Sequence, residues 1–140
     1  MISALDISTS ALVAQRTRLN AISSNLANMS SIRDENGDVK PFKARYVVFQ
    51  ADDQLKTAHG AMGVRVASVE TEDIEPQYKY EPNHPFAIKD GKWKGHVAYP
   101  KINMVREFTD AMEATRAYEA NIGVMEITKS LGQQTLRILA

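Results

Sequence analysis

The chain of 140 residues contains no cysteine. Without a thiol it can form no disulfide, carries no nucleophilic thiolate and binds no metal through sulfur. The absence leaves the compartment open, but it suits a protein that must be exported unfolded without cross-linking.

Neither sign of charge is in excess, because 17 lysine and arginine residues balance 17 aspartate and glutamate residues. A chain without net charge has no long-range attraction to nucleic acid or to an anionic lipid surface. We therefore expect neither nucleic acid nor a membrane among its partners.

Long apolar runs are also missing. No segment approaches the roughly 18 apolar residues of a membrane-spanning helix, so we expect no membrane insertion. The first basic residue is Arg16, which leaves no basic region ahead of an apolar stretch, as a cleaved secretory peptide requires. If the chain leaves the cytoplasm, we expect it to do so without a cleaved signal peptide.

Proline is absent from both ends, since all five prolines lie between Pro41 and Pro100. Because proline interrupts helices, the distribution predicts three parts: an N-terminal helical arm at residues 1–30, a β-rich middle segment with loops at 31–102, and a C-terminal helical arm at 103–140. The predicted fold is mainly α with a small β part. The two long helices pair as a coiled-coil-like hairpin, and the middle segment forms a β-hairpin or small sheet.

The N-terminal arm has a heptad pattern. Leucine recurs every seven residues, and a partly polar set follows three positions later; the two sets are Leu5, Leu12, Leu19, Leu26 and Ser8, Gln15, Ile22, Met29. Ser3 with Asp6 can cap the start, and Asn28 can end the helix. The pattern predicts one helix over residues 3–29.

The C-terminal arm is longer and more regular. Alternating steps of four and three residues define a predicted seam of Met104, Phe108, Ala111, Thr115, Tyr118, Ile122, Met125, Lys129, Gly132, Leu136 and Leu139. Most of these are apolar or small, as in a coiled coil. With Asn103 as N-cap, a helix is predicted over residues 103–138.

The middle segment combines strand and turn signals. Aromatic and β-branched residues predict strands at Phe42–Gln50, Gly63–Val69 and Gln77–Glu81. Pro82–Pro85 and Asp90–Gly91 predict turns.

The length of the second helix argues against a compact globule. Thirty-six helical residues make a rod of about 54 Å, whereas a compact chain of this size has a diameter of about 35–40 Å. The helix must project, and its apolar stripe then needs cover. The pattern alone leaves two readings open: a polymer subunit covered by other chains, or a self-contained two-helix hairpin with a β insert.

Motifs in both arms resemble flagellar basal-body rod and hook proteins. The segment Ser10–Asn28 (SALVAQRTRLNAISSNLAN) is similar to their N-terminal signature, although Ser24 stands where the family usually has the first asparagine of a pair. Arg116–Ile122 (RAYEANI), followed by Lys129–Leu131, is similar to their C-terminal signature.

Further segments resemble the proximal-rod members of this family. They are Phe42–Gln50, Gly63–Val69, Tyr80–Pro85 and Val97–Pro100, in the same order along nearly the whole chain. The stretch Ile88–Gly95 departs from the family by its length and its lysine and tryptophan content.

The resemblance implies a structural subunit of the proximal rod that polymerises through its terminal helices into an axial drive shaft and export channel. It implies export by the flagellar type III apparatus and a place in the basal body, in the part of the rod that crosses the periplasm. The implied partners are copies of the chain, other rod subunits and the adaptor between MS ring and rod at the base. The alternatives are a distal-rod subunit, for which the middle segment is small, and a helical-hairpin adaptor.

An assembly interface is expected along both arms. The first arm contains several asparagines, although asparagine is a poor helix former. We hypothesise that several of these amides form hydrogen bonds with neighbouring subunits. The alternative is a polar face of the helix that is exposed to solvent. The interface residues are predicted to be Leu5, Leu12, Gln15, Leu19, Asn20, Ile22, Asn25, Leu26, Asn28, Phe108, Met112, Arg116, Tyr118, Asn121, Ile122, Met125 and Leu136. For Tyr118 core packing is the favoured reading, and Arg116 can pair with Glu119 on the surface.

No catalytic, cofactor or metal site is predicted. His59, His84 and His96 are dispersed, without the spacing of helical metal ligands. The acidic segment Glu70–Glu75 lacks the ligand spacing of an EF-hand, and Gly60–Gly63 lacks the residues of a phosphate loop. The sequence therefore does not predict an enzyme.

Overall fold

A computed structural model describes residues 3–140. Six elements follow in chain order: α1 (Ala4–Ala27), β1 (Arg45–Lys56), β2 (Met62–Thr71), β3 (Gln77–Tyr80), β4 (His96–Tyr99) and α2 (Met104–Leu139). The predicted fold class, with long terminal helices and a small β part between them, is confirmed.

Both helices begin where capping residues occur. The Asp6 carboxylate accepts a hydrogen bond from the Ser3 backbone N–H at 2.8 Å, and the Asp6 N–H donates to Ser3 Oγ at 3.4 Å, which completes a capping box. The Ser3 backbone N–H lowers the pKa of Asp6 from its usual value. At α2 the Asn103 side chain accepts from the N–H groups of Val105 and Arg106 at 3.0 and 3.2 Å.

The middle segment forms two separate antiparallel sheets of two strands, β1–β2 and β3–β4. The first strand was predicted at Phe42–Gln50, but β1 begins at Arg45 and continues to Lys56. Its second half has little intrinsic strand preference and is extended because it pairs with β2. The short strand β4 was not predicted, since its four residues form a strand only by pairing with β3.

The β1–β2 hairpin lies along α1. Asn25 Oδ1 accepts from the Arg45 N–H at 2.8 Å, and Asn25 Nδ2 donates to the Arg45 carbonyl at 2.9 Å. Farther along, Ser10 Oγ accepts from the Val64 N–H at 3.0 Å. The two contacts are about 22 Å apart along α1. They are about 20 Å apart along β1, from Arg45 to Ala51, the partner of Val64. The matching lengths allow the hairpin to bond to α1 near both of its ends.

The β3–β4 sheet carries a well-packed outer loop. Trp93 stacks on Tyr78 with ring centroids 4.2 Å apart, and the Arg33 guanidinium lies 4.0 Å from the centre of the Phe86 ring. The second contact joins this loop to the segment that follows α1. The stretch Ile88–Gly95 is thus held in part by the packing of Trp93 on Tyr78.

The two helices run antiparallel, because Arg18 contacts Glu113 at 3.2 Å and Asp110 at 3.7 Å, while Asn25 contacts Glu107 at 3.1 Å. Their contact uses small side chains: Ser8, Ala14 and Ala21 on α1 and Ala114 on α2 are all buried. Small side chains permit a close approach of the helix axes.

The seam predicted for α2 is partly wrong. Within the described residues, α1 is the one helix or strand that α2 packs against, so the buried and half-buried positions mark the side of α2 that faces α1. Ala114 is buried, and the half-buried positions are Glu107, Asp110, Ala111, Ala117, Tyr118, Asn121, Gly123, Met125 and Thr128. They include Ala111, Tyr118 and Met125 of the predicted seam, whereas its other members are exposed. The polar contacts of Arg18 and Asn25 fix the rotation of α2, so that Ala114 and Tyr118 face α1 while Phe108 and Met112 remain exposed.

The C-terminal end of α2 extends beyond α1. Extending the contacts of Arg18 and Asn25 along both helices at the α-helical rise places Ala4 opposite about residue 127. In agreement, every residue from Lys129 to Ala140 is exposed. We call residues 127–139 the overhang; it is about 20 Å long. The projection expected from helix length is therefore present.

Replacing Asn25 by alanine should destabilise the chain. Asn25 is 2% exposed, and its loss leaves the backbone groups of Arg45 without their partners, which costs about 1–3 kcal/mol. Urea unfolding followed by far-UV circular dichroism measures the change. Asn20→Ala is the matched control: Asn20 is exposed, and removing an asparagine from a helix should stabilise the chain by about 0.5 kcal/mol. Equal effects of the two substitutions would contradict the role given to Asn25.

Gly63→Ala should also destabilise the chain. A Cβ at this buried position would lie 2.9 Å from Leu55 Cβ and Cδ1 and from Ser10 Oγ, so the hairpin must shift away from α1 at a cost of about 1–3 kcal/mol. The control is Gly123→Ala, where a helical glycine has no such neighbour within 4 Å and alanine should stabilise by about 0.5–1 kcal/mol. Thermal unfolding of both variants tests the difference in sign.

Candidate assembly interface

The predicted interface residues of α1 lie at different depths. Ile22 and Asn25 are buried inside the chain, at 6% and 2% exposure. Leu12, Gln15, Leu19, Leu26 and Asn28 are half-buried, and Leu5 and Asn20 are exposed. Part of this set therefore holds the subunit together, and the exposed part faces outward.

Two amides of α1 form hydrogen bonds within the subunit, whereas the sequence predicted bonds to neighbouring subunits. Asn25 directs both amide hydrogens and its oxygen to Arg45 and Glu107 of the same chain. Asn28 caps α1: its Nδ2 donates to the Ser24 carbonyl and its Oδ1 accepts from Ser31 Oγ. The physical reason is position, because both amides lie where α1 ends and the chain needs polar partners.

Three other predicted interface amides, Asn121, Gln15 and Asn20, have different surroundings. On α2, Asn121 Nδ2 donates to the Ala117 carbonyl one turn earlier, at 2.8 Å. The buried Oε1 of Gln15 has no hydrogen-bond partner within residues 3–140. Asn20 points away from the subunit and is the amide best placed to meet another chain.

The predicted interface residues of α2 are mostly exposed. Phe108, Met112, Arg116, Ile122 and Leu136 are exposed, with 54%, 58% and 68% for Phe108, Met112 and Leu136. Tyr118, Asn121 and Met125 are half-buried on the side that faces α1. Arg116 and Glu119 were expected to pair on the surface, but no ion pair between them is found in the part of the chain that the structure describes.

Two apolar surfaces on α2 have no cover from residues 3–140. The first, which we call the α2 ridge, consists of Met104, Phe108 and Met112 at successive four-residue steps. The second, the overhang stripe, consists of Ile127, Leu131 and Ile138, which are 63%, 57% and 84% exposed. A solvated helix normally has a single apolar stripe, so two uncovered surfaces in addition to the α1 contact indicate further packing.

The overhang stripe was missed in the sequence. Its members lie outside the predicted seam, which follows steps of four and three residues from Met104 along a different face of α2. A second apolar series at Val124, Ile127, Leu131 and Ile138 runs on another face of the same helix. Tracing every face of α2, instead of the richest one, would have revealed it.

Features of an active site are sparse. A cavity of about 500 Å³ lies between α1, β1 and α2, lined in part by Arg18, Arg106 and Asp110. It is open and carries charges of both signs. Across residues 3–140 there is no group of three histidine, aspartate or glutamate side chains placed to hold a metal ion. Over the same residues, no helix has the length and apolar character needed to cross a bilayer.

Two family models match the helical arms. The model described as flagella basal body rod protein matches residues 5–31. The model described as flagellar basal body rod FlgEFG protein C-terminal matches residues 94–138. Together they include nearly all of α1 and almost all of α2.

Whole-chain relatives extend this likeness. The flagellar basal-body rod protein FlgC of Salmonella typhimurium is 39% identical, over 99% of this chain and 97% of that protein. The FlgC protein of Borreliella burgdorferi is 36% identical over the same shares. That of Bacillus subtilis is 32% identical over 96% of this chain and 95% of its own length. This chain belongs to the family of flagellar basal-body rod proteins.

Proposed function

We propose that the chain is a structural subunit of the proximal part of the flagellar rod, and that it polymerises through α1 and α2. Its similarity to FlgC proteins over nearly the full length of both chains supports a rod subunit. These relatives are named as rod proteins, which supports a structural and not an enzymatic role. The protein is accordingly located in the basal body.

The observation that carries the proposed mode of assembly is the uncovered apolar surface of α2. Phe108, Leu131, Leu136 and Ile138 are each more than half exposed. Burying one such side chain contributes about 1.5–3 kcal/mol. Because these side chains lie at both ends of α2 and on more than one face, one small partner cannot cover them. This arrangement favours a polymer subunit over an adaptor that docks a single protein.

We also propose which part of the subunit lies along the axis of the rod and which part lies outside it. We assign residues 1–30 and 103–140 to one axial unit that lines the shaft and its channel, and residues 31–102 to an outer part. The partners in this proposal are copies of the chain, other rod subunits, the adaptor between MS ring and rod at the base, and the type III export apparatus that delivers the unfolded chain.

Phe108→Asp should abolish rod assembly without unfolding the subunit. The ring is 54% exposed, so its loss removes little internal packing, whereas a carboxylate in an apolar contact between subunits is strongly unfavourable. In a strain that lacks its own copy, the swimming halo should shrink to that of the deletion strain.

Phe108→Leu is the control, because it keeps the position apolar and should restore swimming. Circular dichroism of the purified variants should give the same helix content for both. Normal swimming with Phe108→Asp would show that this face of α2 is not an assembly surface.

A further inference from the structure

We propose that one face of the β3–β4 sheet, together with the loop 88–95 beside it, binds an anionic glycan. We call this surface the aromatic platform; its rings are those of Tyr78, Tyr80, Trp93 and His96, and its charges are the lysines of the loop. The inference goes beyond the proposed function, because it assigns a ligand to the outer part of the subunit and does not depend on polymerisation through the helices.

The sheet places the four rings on one face. Tyr78 and Tyr80 are two residues apart on β3, so their side chains point to the same side, and Tyr80 lies opposite His96 of β4. Trp93 stacks on Tyr78 with ring centroids 4.2 Å apart. The rings of Tyr80 and Trp93 lie 5.2 and 5.5 Å from the His96 ring. The two exposed rings are therefore within about the length of a disaccharide of one another.

The platform is exposed and at the same time fixed in position. Tyr80 is 66% exposed and Trp93 is 36% exposed. One side of the Tyr80 ring lies against Gly95, where a Cβ would be 3.0 Å from Tyr80 Cε2, and the stack on Tyr78 holds Trp93. Rings that are already in place lose little conformational freedom when a ligand binds.

Positive charge lies beside the platform. The loop 88–95 contains three lysines and one aspartate, a net charge of +2 in a chain that has no net charge. Lys89, Lys92 and Lys94 are exposed, and none of them forms an ion pair within residues 3–140. Lys92 Nζ lies 5.2 Å from the centre of the Trp93 ring. These lysines are available to pair with an anionic ligand.

The opposite face of the sheet has a different character. It carries Lys79 and its partner Val97, which is 0% exposed. Glu81 pairs with Lys79 at 2.8 Å and accepts a hydrogen bond from the Tyr99 hydroxyl at 2.9 Å. The carboxylate nearest in sequence to Tyr80 is thus bonded to side chains of that other face, and the lysines of the loop keep their charge.

The combination of rings and lysines favours a glycan over other anionic ligands. The faces of aromatic rings carry partial negative charge, which attracts the C–H groups on the flat side of a sugar ring, while lysines pair with the carboxylates of acidic sugars. By contrast, the cores of protein interfaces are depleted of lysine. Trp93 cannot enter a lipid surface while it is stacked on Tyr78, and single-stranded nucleic acid needs a basic groove that follows its backbone.

The open geometry of the platform determines the strength of binding. Sites that bind small ligands tightly enclose most of the ligand's surface, whereas the platform presents one open face. We therefore expect weak and rapidly exchanging binding of a single sugar unit. A glycan that repeats the unit along a chain should bind more strongly, because repeated contacts raise the overall affinity.

Trp93 is the only tryptophan in the chain, so its fluorescence reports directly on the platform. The purified chain is titrated with soluble peptidoglycan fragments, which combine β-linked amino sugars with carboxylates. We expect a saturable change in emission that weakens as salt is raised. Chitin oligosaccharides, which have the same linkage but no carboxylate, should bind several-fold more weakly. No response to the peptidoglycan fragments, or an equal response to poly-glutamate or oligothymidylate, would overturn the inference.

The aromatic part of the platform is tested at its most exposed ring. Tyr80→Ala should weaken binding of the fragments at least tenfold, whereas Tyr80→Phe keeps the ring and should bind as the unaltered chain does. The matched control is Tyr46→Ala, which removes a 46% exposed tyrosine from the other sheet and should leave the affinity unchanged. Circular dichroism checks that each variant is folded. Equal affinities of Tyr80→Ala and Tyr46→Ala would contradict the assignment.

The charged part of the platform is tested separately. Lys92→Gln with Lys94→Gln should weaken binding of the peptidoglycan fragments and reduce its salt dependence, with little effect on chitin oligosaccharides. Lys56→Gln with Lys129→Gln removes the same charge from two other exposed positions and should change neither. Equal losses from the two pairs would show a general charge effect and not a site. Because these assays use the separate chain, they give their result whether or not the chain forms the rod.

Discussion

The amide of Asn25 joins the three parts of the subunit. It bonds to both backbone groups of Arg45 at the start of β1 and to the Glu107 carboxylate near the start of α2. A buried amide is stabilising only when its donors and acceptor are satisfied, so these bonds require one position of the hairpin and one rotation of α2. With that rotation fixed, Ala114 and Tyr118 face α1, and Phe108, Met112 and Leu131 are exposed.

This orientation links folding to assembly. A subunit that used Phe108, Met112 and Leu131 for its own core would be more stable alone and would have little apolar surface to offer a neighbour. Here the buried residues of the two helices are mostly small, and Phe108, Met112 and Leu131 stay exposed in the single chain. Because burial of large apolar side chains favours association, we propose that neighbouring subunits cover them in the polymer.

The sequence predicted the framework of the fold well, for identifiable reasons. The heptad leucines of α1, the capping residues Ser3 and Asn103 and the missing prolines are local signals, and they located both helices within two residues of their ends. The strands were less predictable, since β4 and the second half of β1 are extended only through pairing. The predicted interface residues differ in exposure: Phe108 and Leu136 are exposed, whereas Ile22 is buried inside the subunit.

Local chemistry in the chain determined the helices, their length, the projection of α2 and the resemblance to rod proteins, because periodicity, caps and composition act over a few turns. Tertiary packing decided which face of α2 meets α1 and that Asn25 bonds within its own subunit. It also left Ile127, Leu131 and Ile138 uncovered. The reason is that a helical pattern specifies which residues share a face, but only the neighbouring element determines whether that face is buried.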